Sequence, residues 1–219
     1  MAQRGITHVY VKAGDGPNVW SQFAPCVDPF HAAGLKVYAW QYVYADDPES
    51  EARVGIHALE SRCDGLVLDI EAECEGKHAE IARLWDVLRL SYPDAWIAYA
   101  PLPIIEYHDP ELYRISCQYA SAHCPQFYWA DLGQYWGDFE RLFSIWETAM
   151  AQWKAEGLPD LPLMPIGQAF GDATPDEIAR FSVYAKSDDC PAISFWSLDA
   201  ANAVQREAVE ALTEYQEVT

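Results

Sequence analysis

Asp69 and Glu71 stand two residues apart where an otherwise apolar run, Gly65-Leu66-Val67-Leu68-Asp69-Ile70-Glu71, comes to its end. Alternate side chains of a strand share a face, so Val67, Asp69 and Glu71, with Glu73 next in the alternation, project to one side and Leu66, Leu68 and Ile70 to the other. Desolvation and mutual repulsion oppose ionising both carboxyls, so one keeps its proton near neutral pH. A retained proton is what a general acid needs, which makes Glu71 and Asp69 the candidate catalytic pair. Two other readings of these residues stay open. Asp69, Glu71 and Glu73 could hold Mg²⁺ or Ca²⁺ through oxygen ligands, although carboxylates alone identify no ion. A structural pair salt-bridged to Lys12 is the other. The expectation is a site with no metal and no cofactor.

Further candidates fall at the ends of other strand-like segments: Lys12, Tyr42, Tyr99, Gln126, Tyr128, Gln168 and Trp196. An amide deep in a strand must find a partner, and a sugar hydroxyl is a suitable one. An indole face stacks on a sugar ring. Trp40, Trp85, Trp96, Trp146 and Trp153 read as packing, and Glu49, Glu51, Glu75 and Glu80 as solvated helix charges.

The segments that would carry these residues are short, apolar and rich in β-branched and aromatic side chains: 8–12, 36–44, 65–71, 96–102, 126–130, 163–170 and 192–198. Between them lie helix-compatible stretches at 21–33, 48–62, 77–91, 109–122, 138–156 and 174–188. Thr174-Pro175-Asp176-Glu177 reads as a helix start with a capping box. Ala33-Gly34 and Glu156-Gly157 read as helix ends. Alternation of this kind predicts an α/β fold with parallel strands and right-handed crossovers, in one domain spanning residues 1–219. No G-x-G-x-x-G follows the first strand, and polar residues collect at nearly every strand end, as in a TIM-type (β/α) barrel. Only seven strands are visible, so the barrel is expected to be incomplete, its first strand missing. The edge left open must be covered, and a homodimer or another partner chain would do so.

Lys plus Arg number 14 against 34 Asp plus Glu, a net charge of −20. Such a chain repels nucleic acid and anionic membranes, and no basic stripe offsets that. No apolar run approaches the roughly 20 residues that span a bilayer. The N-terminal residues hold no apolar signal-peptide core, so the protein is expected to be cytoplasmic at synthesis or phage-encoded. Six cysteines show no C-x-x-C pair and no zinc-ligand spacing, and reduced thiols are expected.

The run from Asp64 resembles the D-x-x-D-x-D-x-E signature of family-18 chitinases: Asp64, Asp69 and Glu71 take its first, third and fourth acidic positions, and Val67 stands at the second. Asp69-Ile70-Glu71 is also similar to the D-x-E of family-25 lysozymes, whose preceding strand resembles His8 to Gly16. The V-K-A-G-D-G loop (residues 11–16), Trp40-Gln41-Tyr42 and the D-x-E together resemble glycosidase-like barrel proteins of bacteria and phages. The chitinase resemblance implies Glu71 as general acid and Asp69 as the residue that orients an acetamido group serving as internal nucleophile. It further implies Tyr128 as a helper and Trp196 as a floor under the sugar. Two hypotheses follow. One is a retaining, substrate-assisted glycoside hydrolase acting on an N-acetylhexosamine polysaccharide such as peptidoglycan. The other is an inactive carbohydrate-binding or structural, phage-associated protein of the same fold.

Overall fold

The structure, a computed structural model, describes residues 5–133 and 141–212. Its first half runs β1 (His8–Asp15), β2 (Asn18–Val19), α1 (Phe23–Ala32), β3 (Lys36–Val43), α2 (Pro48–Glu60), β4 (Gly65–Ile70), α3 (His78–Ser91) and β5 (Ile97–Ala100). Then come α4 (Pro110–Cys117), β6 (Gln126–Phe127), α5 (Trp129–Gly133), α6 (Arg141–Ala155), β7 (Ile166–Gln168), α7 (Pro175–Ser187), β8 (Ser194–Trp196) and α8 (Ala203–Glu210). The seven expected strands are present, and the later ones are shorter than the apolar runs that announced them. β2, α5 and α8 were not foreseen.

Five strands pair in the order β2-β1-β3-β4-β5 and three in the order β6-β7-β8. All pairings are parallel except the β1–β2 turn-back. The two sheets meet at His123, whose backbone bridges Tyr99 on one side and Leu163 on the other, both in parallel sense. Parallel strands with intervening helices therefore follow one another from β1 to β8, a TIM-type (β/α) arrangement. Among the described residues no ladder joins β8 back to β1.

Strand alternation divides the apolar side chains into three clusters. Val37, Ala39, Leu66, Leu68, Ile97 and Tyr99 face the helices of the first half. Phe127 and Phe195 do the same in the second half, against Trp146 and Phe181. The opposite parity, Tyr10, Trp40, Val67, Ala98, Ala100, Cys124 and Ile166, fills the interior between the strands. That inward parity continues to Asp69 and on to Glu71, so the apolar plug ends in carboxyls.

Local chemistry fixes the helix starts. Asp47 accepts from the Ser50 N–H at 3.1 Å with Pro48 as the first helical residue, and Asp109 accepts from the Glu111 N–H at 3.0 Å ahead of Pro110. The expected capping box at Thr174 and Glu177 is formed in both directions. Gly34 and Gly157 take φ of +79° and +61°, which their lack of a Cβ permits just past a helix end. Glu51 departs from expectation. It is fully buried, and its carboxylate accepts from the N–H groups of Tyr44, Ala45, Asp46 and Asp47 at 2.9 to 3.4 Å. The loop from β3 to α2 is wrapped around an anion, and no apolar periodicity marks such a residue.

Candidate active site

Register brings Tyr42, Asp69 and Ala100 side by side on β3, β4 and β5. Because β5 contributes only Ala98 and Ala100 to the interior, Gln126 on β6 reaches across it to β4. Its Nε2 lies 2.7 Å from Asp69 Oδ1, 2.7 Å from Glu71 Oε1 and 3.2 Å from the Ala100 carbonyl. An amide nitrogen has two hydrogens for these three acceptors, and the shortfall favours a proton between the carboxyls. Asp69 is 3% exposed, and Trp40 Nε1–H donates to its Oδ2 at 3.1 Å. Burial above all, then the charge and hydrogen bond of Glu71, hold the Asp69 carboxyl well above the usual carboxylate range, against the pull of Trp40 and Gln126. Glu71 stays half-exposed at the strand end. The proton that the spacing required therefore rests by preference on the sealed member of the pair.

Tyr128 stands close enough to feel the charges of Asp69, Glu71 and Asp131. With burial as the leading cause, these push its phenol well above the ordinary value, so it remains a hydrogen-bond donor. Tyr42 donates to Glu73 Oε2 at 2.7 Å, and burial, that bond and the neighbouring carboxylates raise it as well. Lys12 pairs with Asp15, and its Nζ lies 4.5 Å over the Trp20 ring and 4.8 Å over the Trp40 ring. Tyr44 donates to the other Asp15 oxygen at 3.0 Å. Lys12 thus does not salt-bridge the Asp69–Glu71 pair. Trp196 packs its ring 4.8 Å from that of Trp40 and is 37% exposed. These contacts make one aromatic wall, Trp20, Trp40 and Trp196, beside the carboxyl pair.

Two expected residues lie elsewhere. Tyr99 has the wrong parity: it shares the outward face of β5 with Ile97, is 1% exposed, and its hydroxyl meets His123 Nδ1 at 2.9 Å and Cys117 Sγ at 3.3 Å. Gln168 is fully buried and its amide is spent locally, accepting from the Ala130 N–H at 2.7 Å and donating toward Phe170 O and Asp131. It fixes the first turn of α5. Asp64 sits at the opposite end of β4, where it accepts from the Val37 N–H at 2.7 Å and pairs with His31. Trp40, which the sequence assigns to packing, instead borders the carboxyl pair, and its two-residue spacing from Tyr42 places it on that face of β3. Glu73 turns away to Tyr42, and among the described residues no three His, Cys, Asp or Glu side chains converge as a metal ligand set.

No protein-family model matches the sequence, and no curated protein matches it either. Solved structures do match. A family 18 chitinase from Crocus vernus is similar at TM-score 0.60 and 13% identity, over 88% of this chain and 76% of that one. A protein described as a deoxyribose-phosphate aldolase, from Toxoplasma gondii ME49, is similar at TM-score 0.55 and 11% identity, over 95% of each chain. Likeness at such identities establishes the (β/α) barrel fold, and chemistry has to be argued from the side chains.

Proposed function

We propose that the chain is a retaining glycoside hydrolase acting on an N-acetylhexosamine polymer, of chitin or peptidoglycan type, with Glu71 as general acid and Asp69 as its partner. The observation that carries this reading is the contact between the two carboxyls. Glycosidases that use one carboxyl as acid and another as nucleophile or base hold them about 5 to 9.5 Å apart, with the sugar between. Here Asp69 Oδ1 and Glu71 Oε1 share one amide donor, Gln126 Nε2, which lies 2.7 Å from each, so the two carboxyls stand side by side. No sugar fits between them, so the pair acts as one acid and the nucleophile must come from the substrate. An acetamido group at C2 supplies it.

In this scheme the pair holds one proton. From Asp69 it passes to Glu71, the member that reaches the cleft, and from Glu71 to the glycosidic oxygen as the C1–O bond breaks. The acetamido oxygen bonds to C1, and the Tyr128 hydroxyl donates to that group. Trp40 and Gln126 carry the negative charge left on Asp69. Water then attacks C1 and gives a proton to Glu71 while the bond from C1 to the acetamido oxygen breaks and the acetamide is regenerated, so two inversions leave the configuration retained. Trp196 and Trp40 offer the faces on which the ring stacks. The contacts of Lys12 with Asp15 and two rings tie up its ammonium, which speaks against presentation as a free amine nucleophile.

Substituting Glu71→Gln keeps the shape and the Gln126 contact but removes the transferable proton. Hydrolysis of N-acetylglucosamine oligomers should fall by about 10² to 10⁴-fold. Survival of turnover in that variant would sink the proposal. Sugar binding with no turnover by the unaltered chain would favour a second reading, a carbohydrate-binding barrel. The observation behind it is Val67, fully buried in the apolar interior where the chitinase-like signature places a further acid.

A further inference from the structure

Glu71 contacts the rest of the site through one amide and one carboxyl, so its place depends on the backbone that follows it. Residues 71–77 form a tight loop, held internally by Cys74 N–H to Glu71 O at 3.0 Å, Glu75 N–H to Ala72 O at 3.1 Å and Lys77 N–H to Cys74 O at 3.1 Å. On the β3 side it is tied by Tyr42 to Glu73, by Cys74 Sγ to Val43 O and by Lys77 to Asp46 and Tyr44 O. On the β5 side two imidazole–carboxylate pairs meet it. His108 Nδ1 lies 2.6 Å from Glu75 Oε1, and His78 Nε2 lies 2.5 Å from Asp109 Oδ2, which also accepts from the Gly76 N–H at 3.2 Å. The His108 side chain is 6% exposed, and its other ring nitrogen is buried with no partner among the described residues. A buried imidazole with one nitrogen left unpaired is costly. The fold accepts that cost where it anchors the loop of the acid.

We propose that His108 and His78 are positioning residues: paired with Glu75 and Asp109, they form a double clamp that ties loop 71–77 and the start of α3 to the β5–α4 loop and sets Glu71 against Asp69. This rests on the glycosidase reading only for its effect on rate. Without the clamp the loop keeps its β3-side ties and, on the β5 side, the Gly76 N–H bond to Asp109, and Glu71 is freer to draw away from Asp69. Displacement by an ångström at a general acid costs about 10- to 100-fold in turnover without a matching loss of substrate binding.

The test compares the intact chain with His78→Leu/His108→Leu and with the conservative pair His78→Gln/His108→Asn, whose amides reproduce the bonding nitrogens. The Asp69 carboxyl is titrated by ¹³C NMR, and kcat and KM are measured on N-acetylglucosamine oligomers. Because the Glu71 charge helps to raise Asp69, the leucine pair should lower the Asp69 midpoint by about one pH unit or more. In that variant kcat should fall at least about tenfold with KM within about twofold, and the conservative pair should restore both. An Asp69 midpoint unmoved by the leucine pair overturns the clamp, as does failure of the conservative pair to restore it. If the leucine pair does not fold, the single His78→Leu takes its place, since that side chain is 42% exposed at the start of α3. If the intact chain hydrolyses nothing, the glycosidase reading fails while the Asp69 midpoint still decides the clamp.

Discussion

Asp69 is 3% exposed while Glu71, two residues on, reaches solvent, and this difference sets the two carboxyls apart. Parity alone paired them, but it gave no means of telling which one is sealed, because the seal comes from Trp40 on β3 and Gln126 on β6. The same parity, applied to β5, would have set Tyr99 aside: Ala98 and Ala100 face inward, so Tyr99 cannot. The raised Asp69 carboxyl has a consequence for stability. The folded form binds the proton more tightly than the unfolded chain, so its contribution is complete at acid pH, below the ordinary carboxylate value, and declines as pH rises through the folded value. Asp69→Asn does not titrate and carries a fixed offset from the amide that faces Trp40 or Gln126. The Tm of the unaltered chain minus that of Asp69→Asn should therefore shrink steadily from about pH 4 upward. A difference independent of pH would show that Asp69 ionises as freely folded as unfolded.

Among the elements, the turn from β3 into α2 shows how a charge can serve a strand that it does not belong to. Glu51 lies on α2, yet it gathers the N–H groups of residues 44–47, and the backbone carbonyl of Glu51 accepts from Gln41 Nε2 at 2.8 Å. A glutamate in a first helical turn is ordinarily exposed, favoured there by the helix dipole, so its position in the sequence suggests a solvated charge. Glu51→Gln replaces one acceptor oxygen by a donor facing N–H groups and should cost about 1 to 3 kcal/mol. Urea denaturation measures it, and a midpoint unchanged within error would contradict the arrangement. β4 and β5 were legible as strands from their apolar runs. The ends of β6, β7 and β8 were not, since aromatic residues such as Tyr128, Trp129 and Phe170 suit loops and helix starts as well as strands.

For the molecule as a whole, the join of its two sheets depends on His123, which bridges both by backbone and is 3% exposed. Burial, opposed only weakly by the Pro159 carbonyl, pushes its imidazole down to about 4. The unfolded chain takes up that proton near pH 6.5 and the folded chain near 4, so the stabilisation stands above pH 6.5 and is lost as pH falls toward 4. The full loss is about 3 kcal/mol. His123→Asn, which does not titrate, should narrow its Tm deficit against the unaltered chain between pH 7 and pH 4, opposite in sign to the Asp69 effect. Scans at both pH values check this, and a constant deficit would place the proton elsewhere. The barrel itself does not choose a reaction, since two of the similar solved structures are described as a chitinase and an aldolase.

From its sequence alone this chain could be read as alternating strands and helices, with a carboxyl pair at the end of β4 and without the basic surface that nucleic acid requires. Those features rest on periodicities of two and 3.6 residues and on summed charge, which need no knowledge of neighbours. Only the tertiary structure decided that Gln126 crosses β5 to join the pair, that Trp40 seals it, that Gln168 lies outside it, and that His78 and His108 tie the loop behind Glu71 to the loop between β5 and α4. Each of these depends on which strands and loops become adjacent, over separations of about 30 residues and more, and a local pattern does not encode that adjacency.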